Sequence, residues 1–314
     1  MALNDILVIG GGGFVGRHLV QRLAARGLRV TVPARQRERV KSLLLLPTVE
    51  VVDADVHDAQ TLARLVRGAG AVINLVGVLH DGRGNAGFRA AHVELTRTLL
   101  AACAAAGVMR YLHMSALGAD VDGPSGYQRS KGEAEALVRA SGLEWTIFRP
   151  SVIFGPDDRF LNLFAALQAL APVMFLGGAQ AKFQPVYVED VAAAFAHALD
   201  DRASIGQTYD LCGPQVFTLR ELVTLAGELS GHRRPIIGLP AALAYLQALA
   251  LECLPGKLMS RDNLASMQVD NVSDAPFPFG IRPAALAAVA RGWLAAATPR
   301  ARYSGFRSRA GRAG

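Results

Sequence analysis

The 314-residue chain has only three cysteines, Cys103, Cys212 and Cys253, spaced far apart and odd in number. That usage excludes a disulfide framework and a paired-cysteine zinc site, and it points to a reducing compartment. The seven histidines form no HxxxH or HExxH grouping, so no metal centre is expected. Acidic residues stop at Asp274, and Arg282, Arg291, Arg300, Arg302, Arg307, Arg309 and Arg312 beyond it account for the whole formal charge of +7. The preceding body carries 26 basic and 26 acidic groups, so a basic nucleic-acid-binding face is excluded. Long apolar runs are also missing. The most apolar late stretch, 236–254, is interrupted by Gly238, Pro240, Gln247 and Glu252 and fails as a membrane span. It reads as a buried or surface-docking helix. The N-terminus has no positive leader region and carries Asp5 inside its apolar run, as a first strand would. A cytoplasmic location is expected, with the inner membrane face as an alternative setting.

With 51% hydrophobic and 19% charged residues, the chain buries enough apolar surface to offset its ordering entropy. Short, nearly continuous apolar runs at 5–9, 29–33, 49–53, 71–76, 110–114 and 144–149 read as strands covered on both faces. Helical periodicity fills the intervals at 14–25, 60–66, 89–106 and 127–140, each ending near a glycine. The alternation predicts an α/β fold: a Rossmann-type doubly wound parallel sheet with a smaller C-terminal substrate lobe. The expected boundaries are a dinucleotide-binding core over 1–154, rejoined by 183–211, a lobe over 155–298 and a basic tail over 299–314.

Four glycines, Gly10 to Gly13, followed by Phe14, Val15 and Gly16, stand between the first strand and the first helix. A glycine turn there lets backbone approach a pyrophosphate, and the helix N-terminal amides stabilise its charge. Two registers fit, through Gly10, Gly13 and Gly16 or through Gly11, Gly13 and Gly16. An acidic residue for the adenosine ribose is expected at the end of the second strand. Arg35 stands there instead, a candidate for a 2'-phosphate, which favours NADP(H) over NAD(H), or else a solvated loop residue. Asp55, after the third strand, is a candidate for the adenine edge or a helix cap.

Tyr127 and Lys131 stand at i and i+4 on one helix. A cation beside a phenol favours the phenolate, so the spacing suits general acid/base work. Chance would give about 0.08 such pairs here. Ser115, after the fifth strand, can hydrogen-bond a substrate oxygen or serve as a turn cap. Phe154, Phe160, Phe164 and Phe175 are consistent with an apolar substrate pocket, or with core packing.

The glycine loop, Ser115, the Tyr127/Lys131 pair and the run Arg149-Pro150-Ser-Val-Ile-Phe154-Gly155-Pro156 resemble the extended and atypical short-chain dehydrogenase/reductases. Finer runs at 74–77, 92–96, 115–120 and 184–191 resemble the subgroup related to the NADPH-binding accessory subunit of respiratory complex I, in which relatives are associated with ubiquinone biosynthesis. By that resemblance Tyr127 is the acid/base, Lys131 its pKa-lowering and ribose-binding partner, and Ser115 the orienting hydroxyl. It also implies cofactor contacts at Gly10, Gly13, Phe14, Val15, Gly16, Arg35, Asp55, Val56, Leu75, Gly77, Pro150 and Ile153. His92 stands where many extended members have Asn.

Two functions follow from these residues. One is an NADP(H)-dependent oxidoreductase acting on a small carbonyl or alcohol, with quinone metabolism as its setting. The other is a non-catalytic NADPH-binding accessory or assembly protein of a respiratory or ubiquinone-biosynthesis complex, associated peripherally with the membrane.

Overall fold

The computed structural model describes residues 4–82, 84, 87–252 and 258–295. The first elements in chain order are β1 (Asp5–Ile9), α1 (Phe14–Ala25), β2 (Arg29–Ala34), β3 (Val49–Asp53), α2 (Ala59–Val66), β4 (Ala71–Asn74), α3 (Leu95–Ala106), β5 (Arg110–Met114), α4 (Gly126–Arg139) and β6 (Glu144–Pro150). There follow β7 (Ile153–Phe154), α5 (Leu161–Leu170), β8 (Met174–Leu176), β9 (Lys182–Phe183), β10 (Val186–Tyr187), α6 (Val188–Ala198) and β11 (Gln207–Leu211). The chain continues through β12 (Phe217–Thr218), α7 (Leu219–Ser230), β13 (Ile236–Gly238), α8 (Ala241–Glu252), α9 (Arg261–Ser266) and α10 (Leu286–Leu294). The basic tail expected over 299–314 lies outside the described residues.

The chain divides into two compact units. The first holds the described residues up to Pro150 together with Val188–Leu211 and Ser273–Arg282. Its seven strands are ordered β11-β6-β5-β4-β1-β2-β3, and every neighbouring pair is parallel. This is the Rossmann-type sheet that the alternating pattern predicts. The order reverses between β1 and β4, which opens a crevice at the carboxyl ends of those strands, the ligand-binding position of open α/β sheets. One face is sealed by Leu7, Ile9, Val72, Tyr111 and Ile147 packed against Leu62, Leu95, Leu99, Cys103 and Val138. Both faces of the central strands are buried, which explains their unbroken apolar runs.

The second unit comprises Ser151–Tyr187, Cys212–Val272 and the described residues from Pro283 on. It is built from helices and three two-stranded ribbons, β7 with β10, β8 with β13 and β9 with β12. Phe154, Leu161, Leu222, Ala226, Leu286 and Leu294 form one of its cores. Phe160 and Phe164 pack at the edges of the cores, so three of the four phenylalanines considered for a pocket are packing residues. Residues 183–187 stay with this unit, whereas 273–282 belongs to the first, a return without a sequence signal.

Of the stretch 236–254, residues 253 and 254 lie outside the described residues, and 236–252 is not one helix. Ile236–Gly238 pairs in parallel with Met174–Leu176, and the helix starts only at Ala241, after Gly238 and Pro240. The β-branched pair Ile236-Ile237 favours extended chain, and Pro240 suits a position just ahead of a helix. The helix expected over 89–106 begins with a π-helical turn, Arg89–Glu94, before α3.

Candidate functional site

The glycine loop closes the crevice between β1 and β4. Gly10 adopts φ +82°, a left-handed conformation that an L side chain rarely takes, and a Cβ there would also press on the Leu75–Val76 backbone. Gly16 is held by contact instead. A Cβ on it would lie 2.3 Å from the Gly10 carbonyl oxygen and 2.6 Å from Gly11 Cα. The turn therefore runs through Gly10 and Gly16, with Gly13 as the N-cap of α1 between them. Gly11 and Gly12 face Val32 and Val40 from too close a distance for any side chain. No side chain caps α1 and no acidic residue occupies its first turn, so the amides at Phe14, Val15 and Gly16 form an uncapped helix N-terminus. A pyrophosphate fits that cradle.

Around the cradle, Leu75 is buried and its amide donates to Ile9 O at 2.9 Å, fixing the end of β4 beside the loop. Arg35 is exposed at the end of β2 and makes no hydrogen bond or ion pair among the described residues. Asp55 is exposed and forms a local turn by accepting from His57 N at 3.0 Å, whereas the cap of α2 is Asp58. Val56 packs against the core, and Pro150 ends β6, where its carbonyl accepts from Leu117 N. Ile153 belongs to the second unit, paired with Val186.

α4 carries the Tyr127/Lys131 pair. Its start is set by a capping box in which Ser125 and Gln128 bond each other's backbone. Its middle is tied to β6 by buried Glu135, which accepts from Arg149 Nε at 2.7 Å and Nη2 at 2.6 Å and from Arg139 at 2.8 Å. Lys131 is 2% exposed and donates Nζ to Met114 O at 3.0 Å and Val76 O at 3.3 Å, bridging the ends of β5 and β4. Gly77 leaves room for it, since a Cβ there would lie 3.4 Å from Nζ. Burial pushes the Lys131 ammonium down to about 8, opposed by the Glu135 carboxylate.

Tyr127 stacks edge-on against Phe88 and His92, at 5.9 and 5.6 Å between ring centres. Burial pushes its phenol up to about 12. The expected lowering by Lys131 is therefore not what this pocket produces: burial dominates, and the ammonium is directed at two backbone carbonyls. Ser115 is 3% exposed at the end of β5, and its Oγ has no hydrogen-bond partner among the described residues. Both ring nitrogens of buried His113, two residues earlier, are also unpartnered. Orphaned polar atoms beside Lys131 are what a ligand-facing pocket leaves exposed to its ligand. A dinucleotide bound here would supply hydride-transfer chemistry at its nicotinamide.

His92, which stands where many extended members have Asn, is a junction in the structure. Val78 N donates to its Nε2 at 3.0 Å, so Nδ1 carries the proton and donates to Ser130 Oγ at 2.8 Å. Ser130 in turn donates to Tyr127 O at 2.9 Å. Burial, followed by electrostatic interaction with Lys131 and then with His113, holds His92 down at about 2. The ring is a neutral strut between the loop after β4 and the helix of Tyr127. Only the aromatic crowding at Phe88, His92 and Tyr127 could have signalled this, and it spans 40 residues.

The profile of the NAD dependent epimerase/dehydratase family matches residues 6–212. An Arabidopsis thaliana protein, NADH dehydrogenase [ubiquinone] 1 alpha subcomplex subunit 9, mitochondrial, is 38% identical over 260 residues, 80% of this chain and 64% of its own length. The NADH-ubiquinone oxidoreductase 40 kDa subunit, mitochondrial, of Neurospora crassa is 29% identical over 288 residues, covering 89% of this chain and 76% of its own. The chain thus spans less than two thirds of the plant relative. An Escherichia coli NADPH-dependent quinone oxidoreductase, solved with NADPH, superposes with a TM-score of 0.73 at 20% identity, covering 92% of this chain and 99% of the other. That likeness is one of fold.

Proposed function

The chain belongs to the NAD dependent epimerase/dehydratase family, and on that premise we propose that it is a dinucleotide-holding accessory or assembly protein of a respiratory or quinone-pathway complex. NADP(H) is its preferred cofactor over NAD(H), and its setting is the cytoplasmic face of the membrane carrying that complex. The observation that carries the reading is the state of the Tyr127/Lys131 pair. Lys131 gives two of its three N–H donors to the carbonyls of Val76 and Met114, and burial favours the protonated form of Tyr127. Such a pair clamps the ends of β4 and β5 around a bound nucleotide and is poorly prepared to accept a proton at neutral pH, as oxidation of an alcohol would require. The relatives named as subunits of an NADH dehydrogenase support the partner class. Arg35, unpaired among the described residues at the end of β2 where no carboxylate stands, supports the 2'-phosphate.

A second reading rests on Ser115. Its buried and unpartnered Oγ suits a substrate carbonyl, for which Tyr127 would deliver the proton in an NADP(H)-dependent reduction of a small, apolar carbonyl compound. One experiment separates the two. The dinucleotide that copurifies with the full chain is quantified, and its exchange with labelled NADPH is timed. Near-stoichiometric NADPH that leaves over hours supports the accessory protein. Empty protein that binds NADPH reversibly and turns over a carbonyl, with turnover abolished by Tyr127→Phe, overturns it.

A further inference from the structure

The second unit carries an apolar surface on α8 and the neighbouring ribbon, and an arginine-lined cavity at the start of β13. On α8 only Ala244 and Ala248 are buried, on one side of the helix. The opposite side presents Leu243, Leu246 and Leu249, with Tyr245 at its edge, all at least 40% exposed. A soluble helix normally turns charge to that side. Here the 17 residues 235–251 contain no charged group at all. The neighbouring ribbon continues the surface, because Phe175 and Ile237 are register partners on adjacent strands and both are about half exposed. Gln247 joins the two parts by donating to Phe175 O at 2.8 Å and accepting from Gly177 N at 3.2 Å.

At the start of the same ribbon lies a cavity of about 450 Å³ lined by Arg220, Thr224, Arg233, Arg234, Pro235 and Ile236. Arg220 gives one N–H to Ile236 O at 2.7 Å, and Arg234 gives its Nε to Gln168 O at 3.0 Å. These bonds orient the guanidinium groups and leave other N–H donors available. Of the three arginines, Arg233 has an acidic partner among the described residues, Glu228 at 3.1 Å, and it is the most exposed. Converging guanidinium groups recognise phosphate oxygens. Phosphate recognition beside an uncharged apolar helix is the chemistry of a phospholipid at a bilayer surface.

We propose that the second unit docks on an anionic phospholipid surface, with the outer side of α8 entering the interface and lipid phosphates held in the Arg220–Arg233–Arg234 cavity. Charge complementarity selects this occupant, since a neutral apolar partner would leave the arginine cavity unused. This inference rests on the membrane setting proposed above, but its surface lies wholly in the second unit, so the cofactor experiment and this one fail independently.

The test is cosedimentation of the full chain with phosphatidylcholine vesicles, with and without phosphatidylglycerol. Binding to the anionic vesicles alone, weakened by salt, is expected. L246E/L249E should lower the partition coefficient at least tenfold, L246A/L249A less, and R233E several-fold. Leu45→Glu, an 84% exposed leucine in the first unit, should change nothing. Thermal unfolding and gel filtration of each variant establish that it is folded. Equal binding to neutral and anionic vesicles overturns the proposal, as does undiminished binding by the folded variants. Capture of inorganic phosphate without vesicle binding also overturns it. A dimer that L246E/L249E splits, with no vesicle binding, assigns the surface to a second copy instead.

Discussion

Glu135 and Arg149 form a two-pronged ion pair that joins the middle of α4 to the end of β6, and Glu135 itself is 1% exposed. The helix bearing Tyr127 and Lys131 is thereby fixed to the sheet by a charged contact below the site. Arg139 adds a third hydrogen bond to the same carboxylate, so nearly all of its acceptor capacity is used.

Glu135→Ala removes the carboxylate and strands two guanidinium groups. Because Arg149 retains partial access to water, the loss should fall near the low end for a broken buried pair, about 3 kcal/mol. Urea unfolding measures it, and a loss below about 1 kcal/mol would show that the pair positions α4 without stabilising the fold.

His92 and His113 are both buried and neutral, held at about 2 and about 3 against an ordinary value of 6.5. In each case burial is the first cause. The unfolded chain binds two more protons than the native one once the pH falls below about 6.5, so stability is fully present above that pH and declines below it. The slope should approach ~1.4 kcal/mol per pH unit for each histidine. Urea midpoints at pH 7.5, 6 and 5 give the slope, and His92→Asn should remove about half of it. An unchanged slope would place the acid sensitivity elsewhere.

Gly16→Ala drives a methyl group into the backbone of Gly10 and Gly11. Dinucleotide affinity should fall at least a hundredfold, because the loop must open for the chain to fold. The same change at Gly292, in the interior of α10 with nothing within 4 Å of the added carbon, should stabilise by about 0.5–1 kcal/mol through helix propensity. Titration calorimetry with NADPH and thermal unfolding of both variants provide the comparison.

Arg35→Glu replaces a cation that is unpaired among the described residues by a carboxylate at the end of β2. NADPH affinity should drop ten- to a hundredfold while NADH affinity holds or rises, since an acid there accepts from ribose hydroxyls and repels a 2'-phosphate. Equal losses for both cofactors would remove Arg35 from the adenosine site.

Features confined to one or two turns of chain were legible from residue order. The glycine loop announces itself because a strand-to-helix turn with φ +82° and a backbone contact at Gly16 tolerates nothing larger. The parallel sheet does so because strands buried on both faces need unbroken apolar runs. The spacing of Tyr127 and Lys131 states that they share a helix face. Their electrostatics could not be read that way: a nearby ammonium suggests a lowered phenol pKa, and only the folded chain shows burial raising it while Lys131 serves two carbonyls.

What tertiary structure alone decided lies between groups far apart in sequence. The His92 strut depends on Val78 and Ser130, which helix and loop bring to either side of one ring. Stretch 236–254 reads as one helix because apolar composition cannot distinguish a strand from a helix over three residues, and the strand that 236–238 pairs with, β8, lies some 60 residues earlier. The arginine cavity follows the same rule, for Arg220 at the start of α7 shares it with Arg233 and Arg234 only once the chain has left the helix at Gly231. Local sterics and periodicity belong to the sequence, while desolvation and charge pairing are properties of the neighbours that folding supplies.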